Sequence, residues 1–239
     1  MHISKTNTKI TPHPLRKLWL PGMLATLLLI LAQSALPTSA QEPVEIVVQM
    51  EPDTGRSVGV FSQQPDSWPQ EYSTSVLPFG NYYGATSGAE ISARTFLWFP
   101  LPDEPGGGYV FQEAWIELYY RADWPFAGAA SFGLYGVTAD WTEDMPWDSR
   151  PATEDVPLSM ATVSSDDAAA WVRWDASTMV ASWLTARPNY GVMIAAVPYP
   201  DAPPDESGDW AIATQGRTGS DPALAPRLIL RFARMATPT

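Results

Sequence analysis

Beyond residue 40 the apolar runs of this chain are short and densely punctuated, and this restricts the fold more than any other property. Twenty-four prolines and 16 glycines in 239 residues interrupt most patterns before a long helix can develop, because both residues disfavour helix interiors. Short strands separated by turn residues are the pattern of an all-β sandwich or barrel. The spacing predicts strands over 44–50, 92–99, 110–120, 131–137, 171–174, 191–197, 210–214 and 227–233. Residues 51–90 read as long loops with one or two further short strands. Ser92–Phe99 is apolar on much of both faces, and Phe111, Trp115 and Tyr119 are spaced for a largely common face. No internal repeat is visible, so one domain over 41–239 is expected.

One segment breaks the β pattern. From Asp175 to Leu184, Met179, Val180, Trp183 and Leu184 fall at helical spacing. A short amphipathic helix is therefore expected, with Asp175 capping its first turn and Trp183 packing inward. Asn189 and Gly191 then suit a positive-φ turn into the next strand.

The first forty residues differ in kind. Lys5, Lys9, Arg16 and Lys17 precede an apolar run from Leu18 to Leu36, which ends in Pro37-Thr-Ser-Ala40. This is the layout of a secretory signal peptide cleaved after Ala40. Its uninterrupted apolar part, Met23 to Leu36, is short for a bilayer span. The rival reading is a retained N-terminal anchor. Cleavage implies a secreted or cell-surface protein with no membrane segment of its own. Both histidines, His2 and His13, and all three lysines lie in this segment.

The remainder has no His, Lys or Cys, and its ten arginines face 26 acidic residues, a net charge of −16. This excludes Ser-His-Asp and Cys-His nucleophiles, Schiff-base lysines and metals ligated by His or Cys. It argues against nucleic-acid partners, which need a basic face. Carboxylate chemistry, oxygen-ligated cations or pure binding remain. A glycosidase would need two carboxylates flanking the scissile bond, and no lone pair stands out among 26 acids, so no enzymatic activity and no cofactor are expected. Asp140, Glu143 and Asp144 form the best calcium candidates, since Ca²⁺ takes several oxygens from flexible loops. No Asp-x-Asp-x-Asp-Gly loop is present. The favoured role for that turn is structural, with Trp141 packing and Glu143 accepting backbone hydrogen bonds. Asp166, Asp167 and the acids of 201–209 read as solvated loops.

Six short signatures run in order through the last two-thirds of the chain. They are Arg94-Thr-Phe-Leu-Trp-Phe-Pro-Leu101, Ala114-Trp-Ile-Glu-Leu-Tyr119, Asp140-Trp-Thr-Glu-Asp144, Trp171-Val-Arg-Trp-Asp175, Asn189-Tyr-Gly191 and Pro226-Arg-Leu-Ile-Leu-Arg-Phe232. In this order they resemble the exported bacterial modules called DNRLRE domains, over roughly residues 45–233. Those modules are similar to a carbohydrate-binding module family associated with alginate and related polysaccharides. The sequence departs from the pattern at Ala176-Ser177, at Phe232 and over Ala213–Arg217. The resemblance implies a jelly-roll-like β-sandwich with a polysaccharide-binding or surface-structural role, and it supplies no catalytic residues.

Eleven Trp and 9 Tyr are the strongest binding signal, because sugars stack on flat rings while their hydroxyls hydrogen-bond to neighbours. Trp98, Trp115, Trp141, Trp171 or Trp174, and Trp183 sit in signature elements and are assigned to the core. Trp68, Trp124, Trp147 and Trp210 lie in or near loops and are the ligand-binding candidates, with Tyr82, Tyr83 and Tyr199 beside them. Arg56, Arg121, Arg150 and Arg217 could pair with uronate carboxylates, but a net charge of −16 repels polyanions at range and favours neutral glycans. The expected partner is a polysaccharide or cell-envelope component, met by a monomer. The alternative is a structural or protein-interaction module of the cell surface that binds no glycan. Three aromatics in a row on one face would favour glycan; a long exposed strand edge would favour protein.

Overall fold

The structure is a computed structural model that describes residues 42–63, 74–84, 89–121, 129–197 and 210–235, all within a compact unit spanning Gln41–Thr239. Eleven strands are found among these residues: β1 (Val44–Gln49), β2 (Arg56–Phe61), β3 (Val76–Gly84), β4 (Ala89–Trp98), β5 (Tyr109–Tyr119), β6 (Ala129–Gly136), β7 (Ser159–Ser164), β8 (Trp171–Asp175), β9 (Val192–Ala196), β10 (Trp210–Gln215) and β11 (Arg227–Arg234). They form a four-stranded sheet, β1-β11-β5-β8, and a seven-stranded sheet, β10-β3-β4-β9-β6-β7, with β2 paired to β4. All pairings are antiparallel. This is the expected all-β, jelly-roll-like sandwich. β7 was not anticipated. Its sequence, Ser-Met-Ala-Thr-Val-Ser, buries only Val163 and owes its conformation to pairing with β6.

The main core lies between the sheets. Ile116, Leu118, Val172, Trp174, Leu228, Leu230 and Phe232 from the smaller sheet meet Leu77, Phe79, Leu97, Phe132, Leu134, Val192 and Ile194 from the larger. Trp174 is fully buried and donates its indole N–H to the carbonyl of Phe132 at 2.9 Å. Phe79 stands edge-on to both Phe132 and Trp174, with ring centres 5.0 and 5.9 Å apart. Beyond the end of β5, the amide of Arg121 reaches the carbonyl of Ala213 on β10, which links the two sheets along that side.

The helix α1 (Ser177–Thr185) buries Met179, Val180 and Trp183 as the spacing predicts. The Asp175 carboxylate accepts the first-turn amide of Ser177 at 2.8 Å, and the Ser177 hydroxyl accepts the amide of Ala114 on β5. The Asn189-Tyr190-Gly191 turn differs in part from expectation. Gly191 has φ +85°, and a Cβ there would sit 2.1 Å from the carbonyl oxygen of Leu97, so only glycine fits. Asn189 has no positive φ. It contributes through its side chain, donating to the Phe99 carbonyl at 2.8 Å and accepting the Gly191 amide at 3.0 Å.

A second apolar cluster covers the outward side of the larger sheet. Val58, Val60, Phe96, Tyr135, Met193 and Ala195 lie against Trp141, with Met145 and Trp147 packed alongside. The segment after β6 therefore folds back over its own sheet.

Candidate functional site

The outward side of the smaller sheet is built differently. Strand pairing sets its pattern, because partners in register share a face. One row runs Glu45–Arg231–Glu113, the next Val47–Ile229–Trp115, and the third Gln49–Arg227–Glu117–Arg173. A fourth pairs Tyr119 with Trp171, whose rings meet edge to face at 5.6 Å. Trp115 and Tyr119, four residues apart on β5, are separated by about 13 Å along the strand. Trp115, Tyr119 and Trp171 are half-buried and belong to neither apolar cluster.

The arginines tie this face together. Arg173 and Arg231, on the strands flanking β5, place their guanidinium carbons 4.9 and 5.0 Å from the Trp115 ring centre. Arg227 lies 3.9 Å from that of Trp171. Each such contact stabilises the arrangement by roughly 0.5–1 kcal/mol where solvent reaches it. Beneath them Glu117, only 3 % exposed, receives Arg173 on one carboxylate oxygen at 2.5 Å and Arg227 on the other at 2.6 Å. Glu113 and Glu45 receive Arg231 at 2.7 and 3.4 Å. A carboxylate on the outward side of a sheet becomes buried here because two arginines and their tryptophans close over it.

Sequence reasoning placed Trp115 in the core together with Trp171 or Trp174; the structure gives the core position to Trp174 and moves Trp115 outward. The cause is a bulge. Phe232 pairs with Phe111 and Arg231 with Glu113, which leaves Gln112 as an extra residue and reverses the side-chain parity of β5. Phe111 consequently faces inward against Phe232, with ring centres 5.9 Å apart, while Trp115 and Tyr119 face out. Trp171 is outward because Val172 and Trp174 on the same strand are inward. The alternation of Arg227, Ile229 and Arg231 with Leu228, Leu230 and Phe232 was the available signal that β11 presents a charged outer row.

The loop candidates fall elsewhere. Trp68, Trp124 and Tyr199 lie outside the described residues. Trp210 opens β10 opposite Asn81, and Tyr82 and Tyr83 lie on β3. Trp147 is half-buried against the second cluster, with the guanidinium carbons of Arg94 and Arg150 at 4.5 and 4.1 Å from its ring centre.

Around the Asp140 turn, Trp141 is buried and donates to the Tyr190 carbonyl at 2.8 Å. Glu143 accepts the Ser57 amide at 2.7 Å and pairs with Arg217. Arg217 also reaches the Pro52 carbonyl. Arg56 pairs with Asp140 at 3.0 Å, donates to the Trp141 carbonyl and lies over the Trp98 and Trp141 rings. Arg56 and Arg217, read as free to meet uronates, are instead anchors of this segment. The Arg56 hydrogen bond, followed by the Trp141 amide, holds the Asp140 carboxyl below the usual carboxylate range. Asp144 accepts from Thr142 and borders an open cavity of about 440 Å³ with Asp140, Met145 and Ser149. Among the described residues no group of three or more acidic side chains is arranged to hold a metal ion. Asp167 accepts both the amide and the hydroxyl of Ser164, and these bonds lower its carboxyl in the same way.

A β-sandwich that displays aromatic rings and hydrogen-bonding side chains on an outer sheet face is the architecture of a binding module. The model of Carbohydrate-binding module family 96 matches residues 79–199, just over half of the chain, and the chain belongs to that family. No curated protein matches it. The matched stretch supplies Trp115, Glu117, Tyr119, Trp171 and Arg173, whereas Arg227 and Arg231 come from a strand beyond it.

Proposed function

We propose that this protein is a non-catalytic, exported module that binds polysaccharide on the outer face of its four-stranded sheet. The observation that carries the reading is the set of three half-buried rings, Trp115, Tyr119 and Trp171, on one face of a carbohydrate-binding-module fold. Their rings offer apolar surface to the C–H faces of sugars. Arg173 and Arg231, with side chains 50 and 39 % exposed, offer N–H donors to hydroxyls, and Glu113 and Glu45 offer acceptors. The Glu117-centred ion pairs hold the rings in place before ligand arrives, which reduces the ordering cost of binding. Export rests on the basic and apolar N-terminal segment. Kinship with DNRLRE-type surface modules is part of the same proposal.

The test is retention of the purified protein on a panel of immobilised glycans, with and without calcium. Wild type is expected to bind at least one polysaccharide, with retention lost in Trp115→Ala and Trp171→Ala and unaffected by chelation. Absence of retention on every glycan would favour the structural-module alternative.

A further inference from the structure

We propose that the free edge of β1 is a docking surface for a second copy of this chain, which pairs antiparallel with the same edge about a two-fold axis at Val47. The inference goes beyond the glycan-binding reading and does not depend on it, because it rests on the backbone at one end of the four-stranded sheet.

β1 ends that sheet, with β11 on its inner side. Its register with β11 continues to Met50, whose amide donates to the Pro226 carbonyl at 2.9 Å. Backbone groups alternate between the two sides of an antiparallel strand, so Val44, Ile46, Val48 and Met50 are turned to β11. Glu45, Val47 and Gln49 then direct their N–H and C=O groups away from the sheet, and among the described residues no backbone group meets them there. The edge is bounded at both ends. Pro43 has the same parity and no N–H to offer. Glu51 commits both of its groups to Thr54, donating to the hydroxyl and accepting the amide, each at 3.1 Å. Between these limits Val47 is 49 % exposed. An unpaired edge of this kind is a template for another strand, and a monomer, the expectation from sequence, leaves it to water.

The residues of this edge suit a copy of themselves. With Val47 facing Val47 across the axis, Glu45 of each copy falls opposite Gln49 of the other, a carboxylate opposite an uncharged amide. The free N–H and C=O groups of all three residues then meet in hydrogen-bonded pairs, and no like charges stand opposite one another. The other end of the sheet fails the same comparison. Ala176 donates to Ala114, and Trp174 stands opposite Ile116, so the alternation leaves Trp171, Arg173 and Asp175 on the free side of β8. A copy centred there would set Arg173 against Arg173, a destabilising pair. On the larger sheet, the edge of β10 is already met by Tyr120 and Arg121. Two β1 edges joined in this way make one continuous sheet of twice the width. The axis of an antiparallel pair is normal to the sheet, so both outer faces point the same way, with their β5 strands about 24 Å apart at the usual strand spacing. A polymeric ligand would meet two copies of the face side by side.

The test is the mass of the purified protein by sedimentation equilibrium over a wide range of concentration, beside variants at the axis that are each first shown to fold by a cooperative melting transition. Wild type should pass from monomer to dimer mass as concentration rises and go no further, because the two-fold pairing closes on itself. Val47→Pro removes the central N–H from the free edge without touching the bonds to β11. Val47→Lys sets two positive charges opposite one another. Both variants should remain monomeric throughout the range. Val47→Cys gives an otherwise cysteine-free chain one thiol at the axis, where the Cα atoms of a hydrogen-bonded pair lie about 5.5 Å apart. Mild oxidant should link it into dimers about tenfold or more faster than Val156→Cys, a control at an exposed loop position, because pairing raises the local thiol concentration. Wild type that stays monomeric at every concentration would overturn the proposal. So would a dimer that survives Val47→Pro and Val47→Lys, or one that crosslinks no faster through Val47→Cys than through Val156→Cys. Each of these outcomes leaves the glycan-retention test to be decided on its own.

Discussion

On the outward side of the larger sheet, Trp141 and Trp147 lie among Val58, Phe96, Tyr135 and Met193, with Arg56, Arg94 and Arg150 stacked at their rings. On the outward side of the smaller sheet, Trp115 and Trp171 carry Arg173, Arg227 and Arg231 in the same geometry, but they lie outside the apolar clusters. The pairing of guanidinium with indole is common to both faces and therefore identifies neither as a site. Context separates them. One set of contacts fastens a covering segment to its sheet, through Arg56 on Asp140 and Arg217 on Glu143. The other stiffens a surface that stays accessible to a ligand.

The sharpest way to break this comparison is to delete one tryptophan from each face. Trp141→Ala empties a buried site and should cost about 3–5 kcal/mol of stability, read as a fall in denaturation midpoint. A cost below about 1 kcal/mol would mean that the covering segment is not held by its core. Arg217→Ala should follow at about 1.5–3 kcal/mol, the range for charge-assisted hydrogen bonds, because Arg217 and Glu143 are only 13 and 24 % exposed. Trp171→Ala on the open face should cost about 1 kcal/mol, mainly its contact with Arg227. It should nonetheless abolish glycan retention, which Arg217→Ala should leave in place. If Trp171→Ala proves as destabilising as Trp141→Ala, the two faces are both packing surfaces and the distinction fails.

The smallest effect concerns acid. Asp140 has its carboxyl held low by Arg56, so its folded pKa lies below the unfolded one. Its contribution is present above the ordinary aspartate pKa and is lost as pH falls through the depressed value. Asp140→Asn should therefore lower the melting temperature slightly at neutral pH, with the difference from wild type shrinking as pH falls below the ordinary aspartate range. A difference that persists undiminished in acid would show that the contact matters through packing instead of charge.

Much of the fold was legible because its signals are local. The turns around Pro and Gly, the helix at 177–185 with Asp175 at its entrance, and the positive φ at Gly191 all arise within a few residues. The candidate face was not legible for a corresponding reason. The interest of loop tryptophans such as Trp147 came from position in the chain, whereas the rings on the open face sit in strands that read as core.

What the sequence determined by itself was the class: an all-β chain with one amphipathic helix and, after residue 40, no His, Lys or Cys, so that binding outweighed chemistry. Only the tertiary structure decided which way β5 faces. Gln112 becomes a bulge because of how β11 pairs with β5, and that one extra residue turns Phe111 inward and Trp115 and Tyr119 outward. Pairing more than a hundred residues apart in sequence then brings Arg227 and Arg231 beside Glu117 and Glu113. Side-chain alternation is a local property, but its phase and its neighbours are fixed by which strand lies alongside, and that is settled only when the whole sheet assembles.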